Sequence, residues 1–151
     1  MTFLHKFKYW VPVILAMALI FLMSTDAFSS RNTSLIIDPV IRFFAPFLTR
    51  REILKVHAVI RKLAHVSEYL VFGMLLFRAF RAGSPDRRWA RWGLSSLAVV
   101  VLYAASDELH QLNVSTRTAS FADVGIDALG GLLAQGISIA WYRRPGGAPP
   151  P

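Results

Sequence analysis

The stretch Trp10-Val-Pro-Val-Ile-Leu-Ala-Met-Ala-Leu-Ile-Phe-Leu-Met23 contains no charged side chain. A helix needs about 20 predominantly apolar residues to cross the hydrocarbon core of a bilayer. Lys6 and Lys8 precede the stretch, as in a secretory signal, but the apolar run is long for a signal core and no Ala-x-Ala site follows it. We therefore predict a first transmembrane helix over about residues 9–25.

Three further apolar stretches follow, over about residues 62–80, 92–108 and 122–142. The last is rich in Gly and Ala, as closely packed membrane helices often are. No G-x-G-x-x-G motif follows a predicted strand, so its glycines are expected at helix contacts and not in a phosphate loop. These are Gly125, Gly130, Gly131 and Gly136. The predicted fold is an all-α integral membrane protein, a four-transmembrane-helix bundle.

The composition supports a membrane protein. The chain has 151 residues, of which 54% are hydrophobic, and a formal net charge of +8. Its basic residues flank the apolar runs, which favours contact with anionic lipid over nucleic acid. The absence of cysteine excludes disulfides, thiol nucleophiles and thiolate metal sites. We expect one domain over residues 1–144, followed by a disordered Pro- and Gly-rich tail over 145–151.

The connection between the first two predicted spans is long and mixed in polarity. Its middle, from Leu35 to Leu48, holds two prolines and is too polar to span. We expect it to lie at the membrane interface as a short amphipathic or re-entrant segment. The following residues, 49–61, predict a surface helix, because Thr49 can cap it and Glu52 stands three residues on.

The distribution of arginines predicts the orientation. Cytoplasmic loops carry an excess of Lys and Arg, and short loops decide topology best. The connection between the second and third spans carries five arginines in or near it, whereas the next connection carries only Arg117. The five are Arg78, Arg81, Arg87, Arg88 and Arg91. Both termini are therefore expected on the cytoplasmic side.

Polar residues gather where the first span ends, the second starts, the third ends and the fourth starts. In an up-down-up-down bundle these four points share one face of the membrane, here the extracytoplasmic face. The residues are Ser24; Lys62, His65, Glu68 and Tyr69; Asp107, Glu108 and Gln111; Arg117; Asp123 and Asp127.

Helical spacing places several of these side chains together. His65 lies three residues before Glu68 and four before Tyr69, so all three share a helix face. A carboxylate inside a membrane span is costly unless it faces a partner or water, which makes Asp127 a functional candidate. Structural roles stay open elsewhere: Asp123 follows Ser120 at capping-box spacing, and Glu68 can pair with a cation between helices.

The order and spacing of these residues resemble a known family. Lys62-Leu-Ala-His-Val-Ser-Glu-Tyr69, then Ser106-Asp-Glu-Leu-His-Gln111, then Arg117-Thr-Ala-Ser-Phe-Ala-Asp-Val-Gly-Ile-Asp-Ala-Leu-Gly130 resemble the motifs of the VanZ-like family of small bacterial membrane proteins. Ser24 also fits, whereas Ser115-Thr116 replaces the Pro-Gly that many members carry before the arginine. The resemblance implies the bacterial cytoplasmic membrane and a link to teicoplanin resistance.

The polar cluster itself fits more than one activity. In one hypothesis it binds or modulates an envelope component, such as a lipid-linked cell-wall precursor or the glycopeptide. In another it is an enzyme that performs phosphoryl or glycosyl transfer on a lipid-linked substrate, with His65 and a carboxylate as acid and base. Candidate catalytic residues are His65, Glu68, Glu108 and Asp127; candidate ligand-binding residues are Ser24, Lys62, Tyr69, Asp107, Gln111, Arg117 and Asp123.

The cluster also leaves a metal site as an alternative. Carboxylates from three helices with one histidine suit Mg²⁺, Mn²⁺ or Ca²⁺ better than Zn²⁺. The spacing matches neither H-E-x-x-H nor the Glu-x-x-His of di-iron bundles. We therefore assign no residue as a metal ligand. Membrane lipids are the expected partners, and nucleic acid is not.

Overall fold

The computed structural model describes residues 3–25, 30–82, 88–112 and 121–144. These residues form five helices and no strand, which confirms the all-α prediction. The helices are α1 (Phe3–Met23), α2 (Ser30–Phe44), α3 (Arg50–Arg81), α4 (Trp89–Gln111) and α5 (Phe121–Arg143). The tail over 145–151 lies outside the described residues, and the single domain stays a prediction.

Helix α3 joins two predicted helices into one. The sequence predicts a surface helix over 49–61 and a span over 62–80, but the structure has one helix of 32 residues, Arg50–Arg81. The predicted capping box forms at its start, where the Thr49 amide donates to Glu52 Oε2 at 2.8 Å. No Gly or Pro occurs between Arg50 and Gly73, so nothing breaks the helix. Its length of about 48 Å exceeds the hydrocarbon core of about 30 Å.

Helix α3 is the centre of the packing. It contacts α1, α2, α4 and α5, most extensively α5, and α4 also packs on α5. Helix α4 is tied to α1 by the hydroxyl of Tyr103, which donates to the Met17 carbonyl oxygen at 2.6 Å. The core between them is apolar and aromatic. Its buried members include Tyr9, Val13, Ile20, Tyr69, Phe72, Leu76, Val100 and Ala104.

Two of the four predicted packing glycines make close helix contacts. A Cβ atom at Gly130 would lie 2.5 Å from the Val66 carbonyl oxygen on α3, and one at Gly131 would lie 2.6 Å from Val100 on α4. The prediction is wrong for Gly125 and Gly136, where a Cβ atom meets nothing within 4 Å among the described residues. Both glycines lie on the exposed side of α5 within the described part of the chain.

Two helices, α3 and α5, are long and apolar enough to cross a membrane, and α1 has a shorter apolar part, Phe7–Met23. Helix α4 carries Arg91 near one end and Asp107 near the other, which shortens its uncharged part. The four-span arrangement therefore stays a prediction. Helix α2 exposes a row of large apolar side chains, in keeping with an amphipathic segment. These are Leu35, Ile36, Val40, Phe43 and Phe44.

Candidate functional site

The predicted site residues that the structure describes come from four chain segments. Ser24 follows α1, a second group lies in the middle of α3, a third closes α4, and Asp123 and Asp127 lie in the first two turns of α5. The α3 group does not open its helix as predicted, because α3 already begins at Arg50. Arg117 and Ser120 lie outside the described residues.

The end of α1 and the last turns of α4 share a buried polar network. Ser24 Oγ donates to Asp107 Oδ2 at 2.8 Å, across 83 residues of sequence. Gln111 Nε2 donates to the same oxygen at 2.9 Å and lies 3.4 Å from Ser24 Oγ. All three side chains are buried. Two donors therefore hold one oxygen of Asp107, while Oδ1 has no hydrogen-bond partner among the described residues.

Asp127 is completely buried between α3, α4 and α5. Its Oδ1 lies 3.3 Å from His65 Nδ1, but the contact lacks the angular geometry of a hydrogen bond. Neither Asp127 oxygen, nor His65 Nδ1, nor the Tyr69 hydroxyl has a hydrogen-bond partner within the described part of the chain. The structure thus brings together three of the predicted residues with their polar atoms unmatched.

Unmatched buried polar atoms are costly. Each costs about 1–3 kcal/mol when nothing bonds to it. Native structures normally satisfy such groups, and exceptions often mark an unseen water, an ion or a functional role. A cavity of about 10 Å³ adjoins Asp127 and His65, which is room for about one water molecule. We call it the inner cavity, and its charged lining residues are Arg61, Lys62, Glu108, Asp123 and Asp127.

The entrance to the inner cavity carries an ion pair. Lys62 Nζ lies 3.9 Å from Asp123 Oδ1, and the lysine side chain is 55% exposed. Exposed pairs at this separation contribute little to stability. Lys62 is therefore able to leave Asp123 when a ligand competes for either group.

Glu68 belongs to a second, larger cavity. This cavity has a volume of about 320 Å³ and lies between the end of α1, α2 and the first half of α3. We call it the cleft. His65 and Arg61 line both the cleft and the inner cavity. The candidate residues are thus distributed over two adjoining spaces, with His65 and Arg61 at their junction.

Sequence reasoning missed two polar residues of this region. Arg61 is not among the candidate residues of the sequence analysis, yet it lines both cavities. Gln135 is buried about two helical turns beyond Asp127 on α5. Its Nε2 donates to the Gly131 carbonyl oxygen at 3.0 Å, and its Oε1 has no described hydrogen-bond partner. An amide inside an apolar Gly-rich stretch is the signal that could have identified Gln135.

The described residues contain no group of three or more carboxylate or imidazole side chains arranged to hold a metal ion. The arrangement does place an imidazole beside carboxyl groups. His65 lies beside a carboxylate and a water-sized space, and Glu108 lines the same space from α4. Such a set can bind a donor-rich group, or take up a proton from a positioned hydroxyl.

Comparison with known proteins agrees with the motifs. The family model VanZ/LLP1 matches residues 9–142, most of the chain. This match confirms the resemblance drawn from the three motifs. Neither the curated proteins nor the solved structures gave a significant match. The chain belongs to the VanZ/LLP1 family.

Proposed function

We propose that the chain is a four-span protein of the bacterial cytoplasmic membrane whose polar site binds an envelope component and so changes susceptibility to glycopeptides such as teicoplanin. Family membership and the two apolar helices α3 and α5 support a membrane protein. The teicoplanin link rests on the family's namesake. The site is built from Ser24, His65, Asp107, Gln111 and Asp127, with the inner cavity and the cleft beside them.

The exposed surfaces of α1 and α4 support the other two spans. Large apolar side chains cover the outer face of both helices, over an extent that is unusual in contact with water. On α1 they include Ile14, Leu15, Leu19 and Leu22, and on α4 they include Leu94, Leu102 and Leu109. In this proposal they face lipid.

Charge supports the orientation. The arginines Arg78, Arg81, Arg88 and Arg91 lie at the end of the bundle opposite Asp127, at the end of α3 and the start of α4. The positive-inside rule then assigns that end and both termini to the cytoplasm. The polar site faces the extracytoplasmic side, where a cell-wall precursor or a glycopeptide is accessible.

One observation carries the binding function: Asp127 is fully buried beside a cavity of water size, and neither of its oxygens has a described hydrogen-bond partner. Ser24 and Gln111 both donate to Asp107 Oδ2, whereas neither oxygen of Asp127 receives a hydrogen bond from the described residues. A carboxylate kept unmatched inside a membrane protein is a functional group by default.

The substitution Glu108→Gln tests this function, because it keeps size and removes charge at the inner cavity. Teicoplanin susceptibility is measured in a host that expresses the wild type or the variant, together with membrane protein level and thermal stability. Loss of the phenotype at normal level and stability is expected. The control Glu52→Gln removes a carboxylate outside the site and keeps a capping-box residue. An unchanged phenotype in Glu108→Gln would contradict the proposal.

The contact of His65 with Asp127 favours a second candidate function, an enzyme. A histidine beside a carboxylate can act as general base and take the proton of a hydroxyl that attacks in the inner cavity. A protonated Glu108 would give its own proton to the leaving oxygen as that bond breaks, and the proton on His65 would then pass to Glu108. The reaction would be phosphoryl or glycosyl transfer on a lipid-linked envelope substrate. Purified protein is incubated with extracted envelope lipids, and release of phosphate or sugar is followed. Activity that disappears in His65→Gln supports the enzyme, and no turnover by the wild type rejects it.

A further inference from the structure

The cleft is elongated and mostly apolar. It follows one face of α3 from Leu54 to Glu68, a distance of about 21 Å at 1.5 Å per residue. Its apolar lining residues are Met23, Ile37, Leu54, Ala58, Ile60 and Ala64. Polar side chains interrupt this lining toward the inner cavity, where Arg61 and His65 belong to both spaces. Such a shape fits an extended hydrocarbon chain with a polar end.

Helix α2 forms the other wall of the cleft. His57 of α3 contacts Asp38 of α2 through its Nε2, and this contact holds α2 against α3 beside the cleft. Ile37 lines the cleft, whereas the adjacent Leu35 and Ile36 are 75% and 73% exposed. The apolar surface of α2 therefore continues from the cleft to the outside, which gives a lipid chain a route from the membrane.

The inner cavity differs from the cleft in charge and size. Three carboxylates line it, from Glu108, Asp123 and Asp127, beside Arg61 and Lys62. Asp127 presents two acceptor oxygens with no described donor. A small group that carries several hydrogen-bond donors therefore fits this space best. A primary ammonium has three donors and a positive charge, whereas a trimethylammonium has no donor and a phosphate adds negative charge beside the carboxylates.

We propose that the cleft and the inner cavity form one site for a phospholipid with a primary-ammonium head. One acyl chain lies along the apolar face between Leu54 and Ala64. The phosphate contacts the Arg61 guanidinium at the junction, and the ammonium enters the inner cavity and donates to Asp127. This inference rests on the proposed binding function and names the class of its ligand.

The test uses the full chain purified in detergent and three phospholipids that share the same acyl chains and differ in the head: ethanolamine, choline or glycerol. Thermal stability is titrated against each lipid. We expect saturable stabilisation by the ethanolamine lipid, with apparent affinity at least about tenfold higher than for the other two, because only it supplies charged donors to Asp127. Equal affinity for all three lipids, or preference for choline or glycerol, would overturn the inference.

Two variants locate the site. Asp127→Asn is expected to abolish the preference for ethanolamine over choline, while binding through the chain remains. Ala58→Trp is expected to fill the cleft and to weaken the binding of all three lipids. The matched control Ala90→Trp lies on the exposed surface of α4 at the other end of the bundle and should bind like the wild type. Retained ethanolamine preference in Asp127→Asn, or unchanged binding in Ala58→Trp, would contradict the assignment.

The two proposals fail in different ways. Absence of head selectivity with a clear Glu108→Gln phenotype rejects the ligand class and keeps the binding function. An unchanged Glu108→Gln phenotype rejects the role in susceptibility, whatever the lipid titration shows.

Discussion

The two ends of the bundle differ in how their buried side chains are matched by neighbours. At the end that holds the arginines, Phe77 is fully buried and stacks with Trp89 and Tyr142, with ring centroids 6.5 and 5.9 Å away. Trp92 meets the same ring edge-on at 6.2 Å. The Arg81 guanidinium lies 4.1 Å from the centre of the Tyr142 ring, a cation–π contact. We call these five residues the aromatic end.

At the polar end, several buried polar atoms lack hydrogen-bond partners among the described residues. Asp127 and Tyr69 are both fully buried, and neither Asp127 oxygen nor the Tyr69 hydroxyl has a described hydrogen-bond partner. Stability would favour apolar residues there, since unmatched polar atoms oppose folding. The comparison indicates that packing at the aromatic end stabilises the protein, and we propose that the polar end serves binding. Substitutions at the two ends should therefore separate stability from function.

The largest stability effect is expected from Phe77→Ala. The substitution leaves a cavity among three aromatic neighbours and should lower the free energy of unfolding by about 3–5 kcal/mol. Unfolding in detergent by heat or denaturant measures it. Any loss of teicoplanin phenotype should follow the fall in membrane protein level. A stability change below about 1 kcal/mol would contradict the role of the aromatic end.

Gly130→Ala tests the close contact of α5 with α3 beside the polar end. The added Cβ would press on the Val66 carbonyl oxygen, so α5 must move away from α3, at a cost of about 1–3 kcal/mol. Gly136→Ala is the matched control on the same helix, because its Cβ meets no described atom within 4 Å. The control should be neutral or gain up to about 1 kcal/mol through helix propensity. Equal destabilisation of both variants would show that the Gly130 contact is not specific.

Ser24→Ala probes the part of the polar end that is matched. The variant removes the hydroxyl that donates to Asp107 Oδ2, while Gln111 still donates to that oxygen. We expect a loss of about 1 kcal/mol in unfolding free energy. Thermal unfolding of the variant and the wild type in one detergent measures it. A loss above about 3 kcal/mol would indicate that this network is a main support of the fold and not part of a binding site.

The smallest effect is expected from Arg81→Gln, which removes the cation over Tyr142 and keeps much of the side chain. Arg81 is partly exposed, and a cation–π contact near the surface contributes about 0.5–1 kcal/mol, so the melting temperature should fall only slightly. Teicoplanin susceptibility should stay at the wild-type value. A lost phenotype with normal stability would place function at the aromatic end and reverse the comparison.

Much of the fold could be predicted from hydropathy and much of the site from topology. Each predicted apolar segment lies largely within a helix of the structure, and alternating helix directions correctly placed Asp107 and Asp127 near one end. The sequence did not predict that residues 49–61 and 62–80 form the single helix α3. The first range is polar and basic and the second is apolar, so the pattern predicts separate helices. The helical period is the same in a surface helix and in a span, so it does not show whether the two are separate or continuous.

The parts of the site that depend on distant contacts could not be predicted. Nothing in the sequence pairs Ser24 with Asp107, since 83 residues separate them. The cleft exists because α2 packs on α3, and a hydropathy pattern does not give that packing direction. Glycine positions show the same limit: composition treats Gly130 and Gly136 alike, but only the helix crossing reveals that one is enclosed and the other open.

Asp127→Asn is the sharpest test of whether the polar end serves binding and not stability. The substitution keeps the shape and replaces a buried carboxyl group, whose oxygens have no described hydrogen-bond partner, by an amide. Stability in detergent and teicoplanin susceptibility are measured together, at matched membrane protein level. We expect equal or higher stability together with loss of the phenotype. A large loss of stability, or an unaltered phenotype in a stable variant, would contradict it.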